Sequence, residues 1–203
     1  MPGPRIIMGL GNPGPEYEAT RHNVGFRVID RLSGEFGVRV LKRKAKSLIG
    51  EGLIKDREVV LAKPQTYMNN SGRAALALME EYGAGAKDLI VVCDDFHLEC
   101  GRIRVRRSGS SGGQKGLESI IAALGTQEFA RVRIGIGPAP VDRVEFVLST
   151  FRKSELPEIE KAIESAAKAT AVWAAEGVEA CMNAYNSTGA RSTGEAESKP
   201  EDR

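Results

Sequence analysis

The chain has few of the residues that build metal sites, disulfides and membrane spans. Its 203 residues include only three cysteines and two histidines. The cysteines (Cys93, Cys100 and Cys181) show no C-x-x-C spacing, so the sequence predicts neither a disulfide framework nor a zinc site. No apolar stretch approaches the roughly 18 residues that a membrane-spanning helix requires. We therefore expect no metal ion and no membrane partner.

The first residues also lack a feature, the apolar segment of a signal peptide. Met-Pro-Gly-Pro-Arg leads directly into a predicted strand, which favours a cytoplasmic protein. A hydrophobic content of 41% is enough for one domain. A domain of this size buries about 70% of the surface that its unfolded chain exposes.

Net charge is also small, at +2, so a case for nucleic-acid binding depends on where the charges lie. Two basic runs stand out, at residues 42–46 and 102–107. Arg102, Arg104 and Arg106 alternate with apolar residues, and alternation along a strand places all three on one face. Either run could also be a solvent-exposed charged surface without a ligand. The shared face beside a glycine-rich loop favours a strand that contacts phosphates.

Predicted strands and helices alternate along the chain. Apolar runs bounded by turn residues predict strands at Arg5–Leu10, Ser47–Leu53, Glu58–Lys63, Asp88–Asp94, Arg102–Arg107, Val132–Ile136 and Val144–Leu148. Apolar residues at helical spacing predict helices at Asn23–Phe36, Asn70–Tyr82, Gly116–Leu124 and Glu155–Gly177. We predict a single α/β domain over residues 1–186, with a twisted, mostly parallel mixed sheet flanked by helices. The polar residues 187–203 are predicted to form a disordered tail.

The most informative segment is a glycine-rich loop at residues 9–14, which follows the first strand. Its glycines spell G-x-G-x-x-G, a pattern that in dinucleotide-binding proteins opens a helix directly. Here prolines follow at once, and the next helical pattern begins only near Asn23. The sequence therefore argues against a nucleotide cofactor. A plain glycine turn would explain the glycines, but not the presence of Asn12 and His22 beside them.

Polar residues follow the carboxyl ends of several predicted strands. Asn12 and His22 follow the first strand, Asn69 follows the third, and Asp94 ends the fourth. Ligands of open α/β sheets gather beyond these ends. A histidine that takes a proton from water, a carboxylate that holds its imidazole, and amides that bind an acyl group indicate acyl hydrolysis. The second histidine, His97, is better explained as a loop residue.

Five motifs spread over about Arg5 to Asn186 match one known family. They are G-L-G-N-P-G-x-x-Y-x-x-T-R-H-N-V-G, P-x-T-Y-M-N-x-S-G, Cys93-Asp94-Asp95, the glycine-rich Ser108–Gly116 and Arg131-Val-Arg-Ile-Gly-Ile-Gly137. With them the chain resembles bacterial peptidyl-tRNA hydrolase. The resemblance implies a cytoplasmic, monomeric esterase without metal or cofactor, whose partner is peptidyl-tRNA, bound by its acceptor stem and 3′ end. The alternative is a non-catalytic RNA-binding relative of the same fold, because a plant splicing factor also resembles this family.

The resemblance also implies the catalytic residues. The family's catalytic histidine falls on His22, as the base for a water that cleaves the ester between a peptide and the tRNA 3′ ribose. The aspartate that orients this histidine falls on Asp94. The asparagine that distinguishes blocked from free aminoacyl groups falls on Asn12. All three residue types are intact in this chain, which favours the enzyme over the RNA-binding relative.

Substrate-binding positions follow from the same resemblance. The family's contacts with the tRNA 3′ end fall on Tyr17, Tyr67 and Asn69. Its clamp on the 5′ phosphate of the tRNA falls on Arg106 and Arg133. The resemblance thus implies that the tRNA 3′ end binds at the loops beyond the strand ends and that the 5′ phosphate binds at the arginine-bearing strands.

One motif departs from the family pattern. Where the family usually reads G-G-H-N-G-L, this chain has Gly112-Gly-Gln-Lys-Gly-Leu117. Lys115 therefore replaces an asparagine that binds water and substrate. Because lysine donates hydrogen bonds but accepts none, we expect Lys115 to hold a phosphate or carbonyl at the rim of the His22 pocket. Gln114 would supply an acceptor beside it. A solvated lysine at a helix start is the alternative.

Overall fold

The computed structural model describes residues 3–139 and 141–186. The predicted tail, residues 187–203, lies outside the described residues. Seven strands form one sheet: β1 (Arg5–Gly9), β2 (Lys42–Lys44), β3 (Ser47–Ile54), β4 (Arg57–Pro64), β5 (Leu89–Asp95), β6 (Ile103–Arg106) and β7 (Ala130–Gly135). The α-helices of the described ranges are α1 (Val24–Phe36), α2 (Ser71–Tyr82), α3 (Lys115–Leu124), α4 (Arg143–Leu148), α5 (Leu156–Glu176) and α6 (Val178–Asn186).

The sheet has the order β2-β3-β4-β1-β5-β7-β6. Its four central strands, β4, β1, β5 and β7, run parallel. The hairpin strands β2 and β3 continue the sheet antiparallel on one side, and β6 does so on the other. The predicted mixed α/β sheet is confirmed, with parallel pairing confined to its centre. Parallel strands buried on both faces explain the nearly continuous apolar runs of β1 and β5.

Helices cover both faces of the sheet. Along β1, Ile7 packs into a core with α1 and α5, whereas Ile6 and Met8 pack into a second core with α2 and α3. This alternation follows from the two-residue repeat of side chains along a strand. None of the described helices is long and apolar enough to span a membrane.

Two segments differ from the sequence prediction. The sequence predicts a strand at residues 144–148, and this prediction is wrong: they belong to α4, where Asp142 Oδ1 accepts a hydrogen bond from the Glu145 N–H at 2.9 Å and caps the helix. The apolar residues Val144, Val147 and Leu148 stand at helical spacing. The sequence also gave no sign of α6 beyond Gly177, where the predicted last helix does end.

Close contact between β1 and α1 explains the first glycine of the glycine-rich loop. A Cβ atom at Gly9 would lie 2.2 Å from the carbonyl oxygen of Gly25, and one at Gly25 would lie 2.4 Å from the Leu10 nitrogen. Both positions therefore require glycine. The tight packing seats the short 3₁₀ turn Arg21–Asn23, which precedes α1, directly against the end of the sheet. Gly9 and Gly25 thus serve helix–sheet packing.

Candidate active site

A cleft of about 750 Å³ opens at the carboxyl ends of β1, β4 and β5. The predicted site residues that line it are Asn12, His22, Tyr67, Asn69, Asp94 and Lys115. They come from five separate stretches of the chain, and the crossover order of the sheet brings them to one edge. Ligand binding at this edge is the general property of open α/β sheets on which the sequence prediction was based.

His22 and Asp94 form a buried pair at the base of the cleft. His22 Nδ1 lies 2.9 Å from Asp94 Oδ2, and the two residues are 8% and 1% exposed. An ionised carboxylate only accepts hydrogen bonds, so Nδ1 carries the proton and Nε2 is left to accept one from the cleft. Burial lowers the pKa of His22, but the charge of Asp94 and its hydrogen bond outweigh burial, and the pKa is raised above 6.5.

Asn12 presents an amide donor to the same cleft. Its Oδ1 accepts a hydrogen bond from the Met68 N–H at 2.8 Å, which fixes which side-chain atom is oxygen. Its backbone exchanges two hydrogen bonds of 2.9 Å with the side-chain amide of Asn23. The loop is thus held on both sides, and the Asn12 Nδ2 group remains available to a ligand.

Gln114 occupies a different place from the one predicted. Its Oε1 accepts a hydrogen bond from the Leu117 N–H at 2.8 Å and caps α3, so the acceptor expected at the rim points into the helix. Its Nε2 instead donates to Asp94 Oδ1 at 3.0 Å. Sequence reasoning missed this contact with the pair at the base of the cleft. The available signal was the position of Gln114 directly before a predicted helix.

The rim of the cleft is exposed. Tyr67 and Asn69 lie at a 3₁₀ turn between β4 and α2, and Tyr67 is 57% exposed. Tyr17 meets the ring of Tyr67 edge to face, with ring centroids 6.4 Å apart. Lys115 begins α3 on another part of the rim, and its Nζ lies 3.0 Å from Glu118 Oε2. The ammonium therefore has one carboxylate partner and is otherwise open to solvent or ligand.

Helix α4 contributes an apolar wall to the cleft, formed by Val144, Val147 and Leu148. Arg21, next to His22 in the sequence, fixes this wall. Its Nη2 lies 2.6 Å from Glu155 Oε2, and its guanidinium lies 4.6 Å from the ring centroids of both Phe146 and Phe151. Sequence reasoning assigned Arg21 no role. Its place directly before His22 was the only signal.

No three His, Cys, Asp or Glu side chains of residues 3–139 and 141–186 cluster as a metal ion would require.

Comparison with known proteins identifies the family. The family model described as Peptidyl-tRNA hydrolase matches residues 6–193. The chain belongs to the peptidyl-tRNA hydrolase family. It is 51% identical over 183 residues to Peptidyl-tRNA hydrolase of Desulforudis audaxviator, covering 90% of this chain and 93% of the relative. It is 48% identical over 185 residues to Peptidyl-tRNA hydrolase of Koribacter versatilis, covering 90% and 92%. The crystal structure of peptidyl-tRNA hydrolase from Acinetobacter baumannii is similar with a TM-score of 0.84, at 33% identity over 90% of this chain and 94% of that one.

This peptidyl-tRNA hydrolase family member carries four arginines on one face of its sheet. Arg104 lies directly opposite Arg133 in the β6–β7 ladder, and Arg106 lies opposite Arg131. Directly paired residues of antiparallel strands point to the same face. Arg102, predicted to share this face, precedes β6 and lies 3.0 Å from a carboxylate oxygen of Glu99.

The two strands use their arginines differently. On β6, Arg104 and Arg106 are exposed. On β7, Arg133 is 8% exposed; its Nη1 lies 3.1 Å from Asp95 Oδ2 and its Nη2 donates to the Ser110 carbonyl at 2.8 Å. Arg131 is 1% exposed and donates only to backbone carbonyls, and burial lowers its pKa to about 10.

Proposed function

We propose that this chain is a cytoplasmic, monomeric esterase that hydrolyses peptidyl-tRNA at the ester bond between the peptide and the tRNA 3′ end. One observation carries the proposal: the buried His22–Asp94 pair lines an open cleft, with the histidine Nδ1 bound to Asp94 and Nε2 left to accept a proton. In a member of the peptidyl-tRNA hydrolase family, this arrangement is suited to general-base hydrolysis.

In the proposed reaction, His22 Nε2 takes a proton from a water molecule, and the resulting hydroxide attacks the ester carbonyl. Asp94 stabilises the imidazolium that forms and holds the ring in the productive tautomer. The protonated His22 then returns the proton to the 3′ oxygen of the ribose as the ester bond breaks. Proton removal by a well-placed base accelerates such a step by about 10² to 10⁴.

Asn12 is proposed to select the N-blocked substrate. Its free Nδ2 group donates to a peptide carbonyl oxygen. A free aminoacyl group has no such carbonyl, because its only carbonyl is that of the ester. The apolar wall of α4 lies across the cleft and packs against the side chains of the bound peptide. Together they favour a peptidyl group over a single amino acid with a charged amine.

Contacts with the tRNA are proposed at two places. Tyr17, Tyr67 and Asn69 bind the unpaired 3′ end, where bases stack readily on exposed aromatic rings. Arg106 and Arg133 bind the 5′ phosphate of the acceptor stem. The guanidinium of Arg106 is exposed. A phosphate at Arg133 would replace backbone carbonyl oxygens as the acceptor of its Nη2 group.

The decisive experiment compares the hydrolysis of N-acetylaminoacyl-tRNA with that of free aminoacyl-tRNA. We expect the wild type to cleave the blocked substrate preferentially, and His22→Ala to lose about three orders of magnitude in turnover, within the range for a general base. His97→Ala is the matched control, because His97 is the chain's other histidine and lies exposed in the loop after β5; it should retain full activity. A wild type that binds tRNA without cleaving either substrate would favour the non-catalytic RNA-binding relative.

A further inference from the structure

Gln114 contacts the carboxylate of Asp94 from the side opposite to His22. Its Nε2 donates to Asp94 Oδ1 at 3.0 Å, while His22 Nδ1 lies 2.9 Å from Asp94 Oδ2. Gln114 is 3% exposed. Each oxygen of the buried carboxylate thus has its own side-chain donor. The three residues come from the 3₁₀ turn before α1, the end of β5 and the start of α3.

The orientation of the Gln114 amide follows from a second contact. Its Oε1 accepts the Leu117 N–H at 2.8 Å, and a backbone N–H requires an oxygen acceptor. The NH₂ group must therefore be the end that faces Asp94. The same side chain caps α3 and binds the carboxylate, so the start of the helix and the catalytic pair are mechanically connected.

The segment that leads to Gln114 is held by a buried arginine. Arg133 donates to the carbonyls of Ser110 and Ser111 at 2.8 and 2.9 Å, and its Nη1 lies 3.1 Å from Asp95 Oδ2. The Gln114 N–H donates in turn to the Ser111 carbonyl at 3.2 Å. The end of β5 thus supplies Asp94 to His22, and through Asp95 it fixes the loop that presents Gln114.

We infer that Gln114 is a positioning residue for hydrolysis: it holds the Asp94 carboxylate in the orientation that aims Oδ2 at His22. The inference rests on the proposed role of His22 as the base. A carboxylate with one unrestrained oxygen can rotate away from the imidazole and weaken their alignment. A neutral donor on Oδ1 prevents this rotation, and it also takes up part of the negative charge that would otherwise act on His22.

Two effects of removing this donor can be separated. Turnover falls, because the His22–Asp94 geometry is less well defined. The pKa of His22 rises, because more of the Asp94 charge is then available to the imidazolium. The other charged groups that line the cleft around His22, Lys115 on α3 and Arg143 on α4, stay the same in such variants. A merely structural role of Gln114 would lower stability without raising this pKa.

Gln114→Asn is the informative variant. Asparagine is among the best helix-capping residues, so it can still cap α3, but its side chain is one methylene too short to reach Asp94. We expect unchanged thermal stability, a kcat about tenfold lower with little change in KM, and an upward shift of the His22 pKa followed by NMR in the resting protein. Gln114→Glu, which keeps the length and the capping oxygen but replaces the donor by an acceptor, should shift the His22 pKa further upward.

Gln114→Met provides the control for the cap, because it keeps the side-chain length and loses the hydrogen bonds to Leu117 and Asp94, together with the one to Met68 Sδ. We expect it to lose turnover like Gln114→Asn and, unlike that variant, to lower the unfolding temperature. Wild-type kcat together with an unmoved His22 pKa in Gln114→Asn would overturn the inference. Because the NMR titration needs no turnover, and because His22→Ala tests the base separately, failure of this inference is distinguishable from failure of the proposed function.

Discussion

The base of the cleft and its rim both contain polar residues, but these residues differ in burial and in hydrogen bonding. At the base, which comprises Asn12, His22, Asp94 and Gln114, no residue is more than 8% exposed and each has a protein partner with a defined geometry. At the rim, Tyr67 is 57% exposed and the side chain of Lys115 is 69% exposed. Buried polar groups are costly unless they are paired. The base is therefore preorganised, whereas the rim side chains are open to solvent.

The arginine face repeats this contrast over one ladder of the sheet. Arg131 and Arg133 on β7 are buried and hold the loop at residues 108–113, whereas Arg104 and Arg106 on β6 are exposed. Residues of one type, on one face and in direct register, thus have separate tasks. Burial commits Arg131 to backbone carbonyls, and Arg133 holds the loop through carbonyls that a phosphate would replace. On the outer strand the guanidinium groups are open to a large anionic ligand.

The largest expected effect comes from breaking the base of the cleft with Asp94→Asn. An asparagine amide can donate to Nδ1 of His22, which would place the imidazole proton on Nε2 and remove the base from the cleft. We expect turnover to fall by about 10² to 10⁴ while tRNA binding is retained. Single-turnover hydrolysis of N-acetylaminoacyl-tRNA measures the loss. A decrease of less than threefold would contradict the role of Asp94.

The pH dependence sharpens this prediction. Hydrolysis needs neutral His22, so kcat/KM of the wild type should fall on the acid side around a pKa above 6.5. In Asp94→Asn, burial is the one main cause left that shifts the pKa of His22, and burial lowers it. The acid limb of the kcat/KM profile should therefore move below pH 6.5. In the wild type the raised pKa stabilises the fold below the unfolded value of 6.5, and this stabilisation is lost as the pH rises through the folded pKa.

The sequence predicts the mixed sheet and predicts that His22 and Asp94 meet at one edge of it, but it does not predict which arginines are buried. Apolar runs and glycines report local preferences, which is why the parallel strands and the strand-end residues His22 and Asp94 were identified. Whether Arg133 points into solvent or onto a loop depends on how residues 108–113 fold across the sheet, and no local pattern encodes that. The sequence predicts a strand in place of α4, because the apolar residues of this helix also fit a short alternating pattern.

A second prediction tests the architectural arginines. Arg131→Met keeps a long side chain but removes the guanidinium that donates to the buried Phe129 carbonyl and to the part-buried Gly109 carbonyl. We expect the free energy of unfolding to fall by about 3 kcal/mol, since each unpaired buried acceptor costs about 1–3 kcal/mol. Arg104→Met on the exposed strand is the matched control and should change it by less than about 0.5 kcal/mol. Urea unfolding measures the free energy of unfolding of both variants. Equal losses would contradict the structural role of the buried arginine.

A third prediction concerns the exposed strand. Arg106→Ala should leave stability unchanged and weaken tRNA binding, raising KM with little change in kcat. The dependence of log Kd on log salt concentration should become shallower by roughly one unit at most, as for the loss of one phosphate contact. Arg43→Ala, an exposed arginine on β2 at the opposite edge of the sheet, is the control. A minisubstrate without the 5′ phosphate should not distinguish Arg106→Ala from the wild type; an equal loss there would contradict the assignment.

The smallest expected effect lies at the rim, at Lys115. Its ammonium can donate to a substrate carbonyl or phosphate in place of the family's asparagine, so Lys115→Ala should lower turnover by about one order of magnitude or less. Lys115→Asn should keep or raise turnover, and it also removes a cation from the first turn of α3, where the helix dipole disfavours positive charge by about 0.3–1 kcal/mol. Glu118→Gln provides the control, because it frees the Lys115 ammonium from its 3.0 Å partner without changing the lysine. Steady-state kinetics of the three variants decide between the two roles: a substrate-binding lysine requires Lys115→Ala to be the slowest, whereas identical kinetics in all three would make Lys115 a solvated residue at the start of the helix.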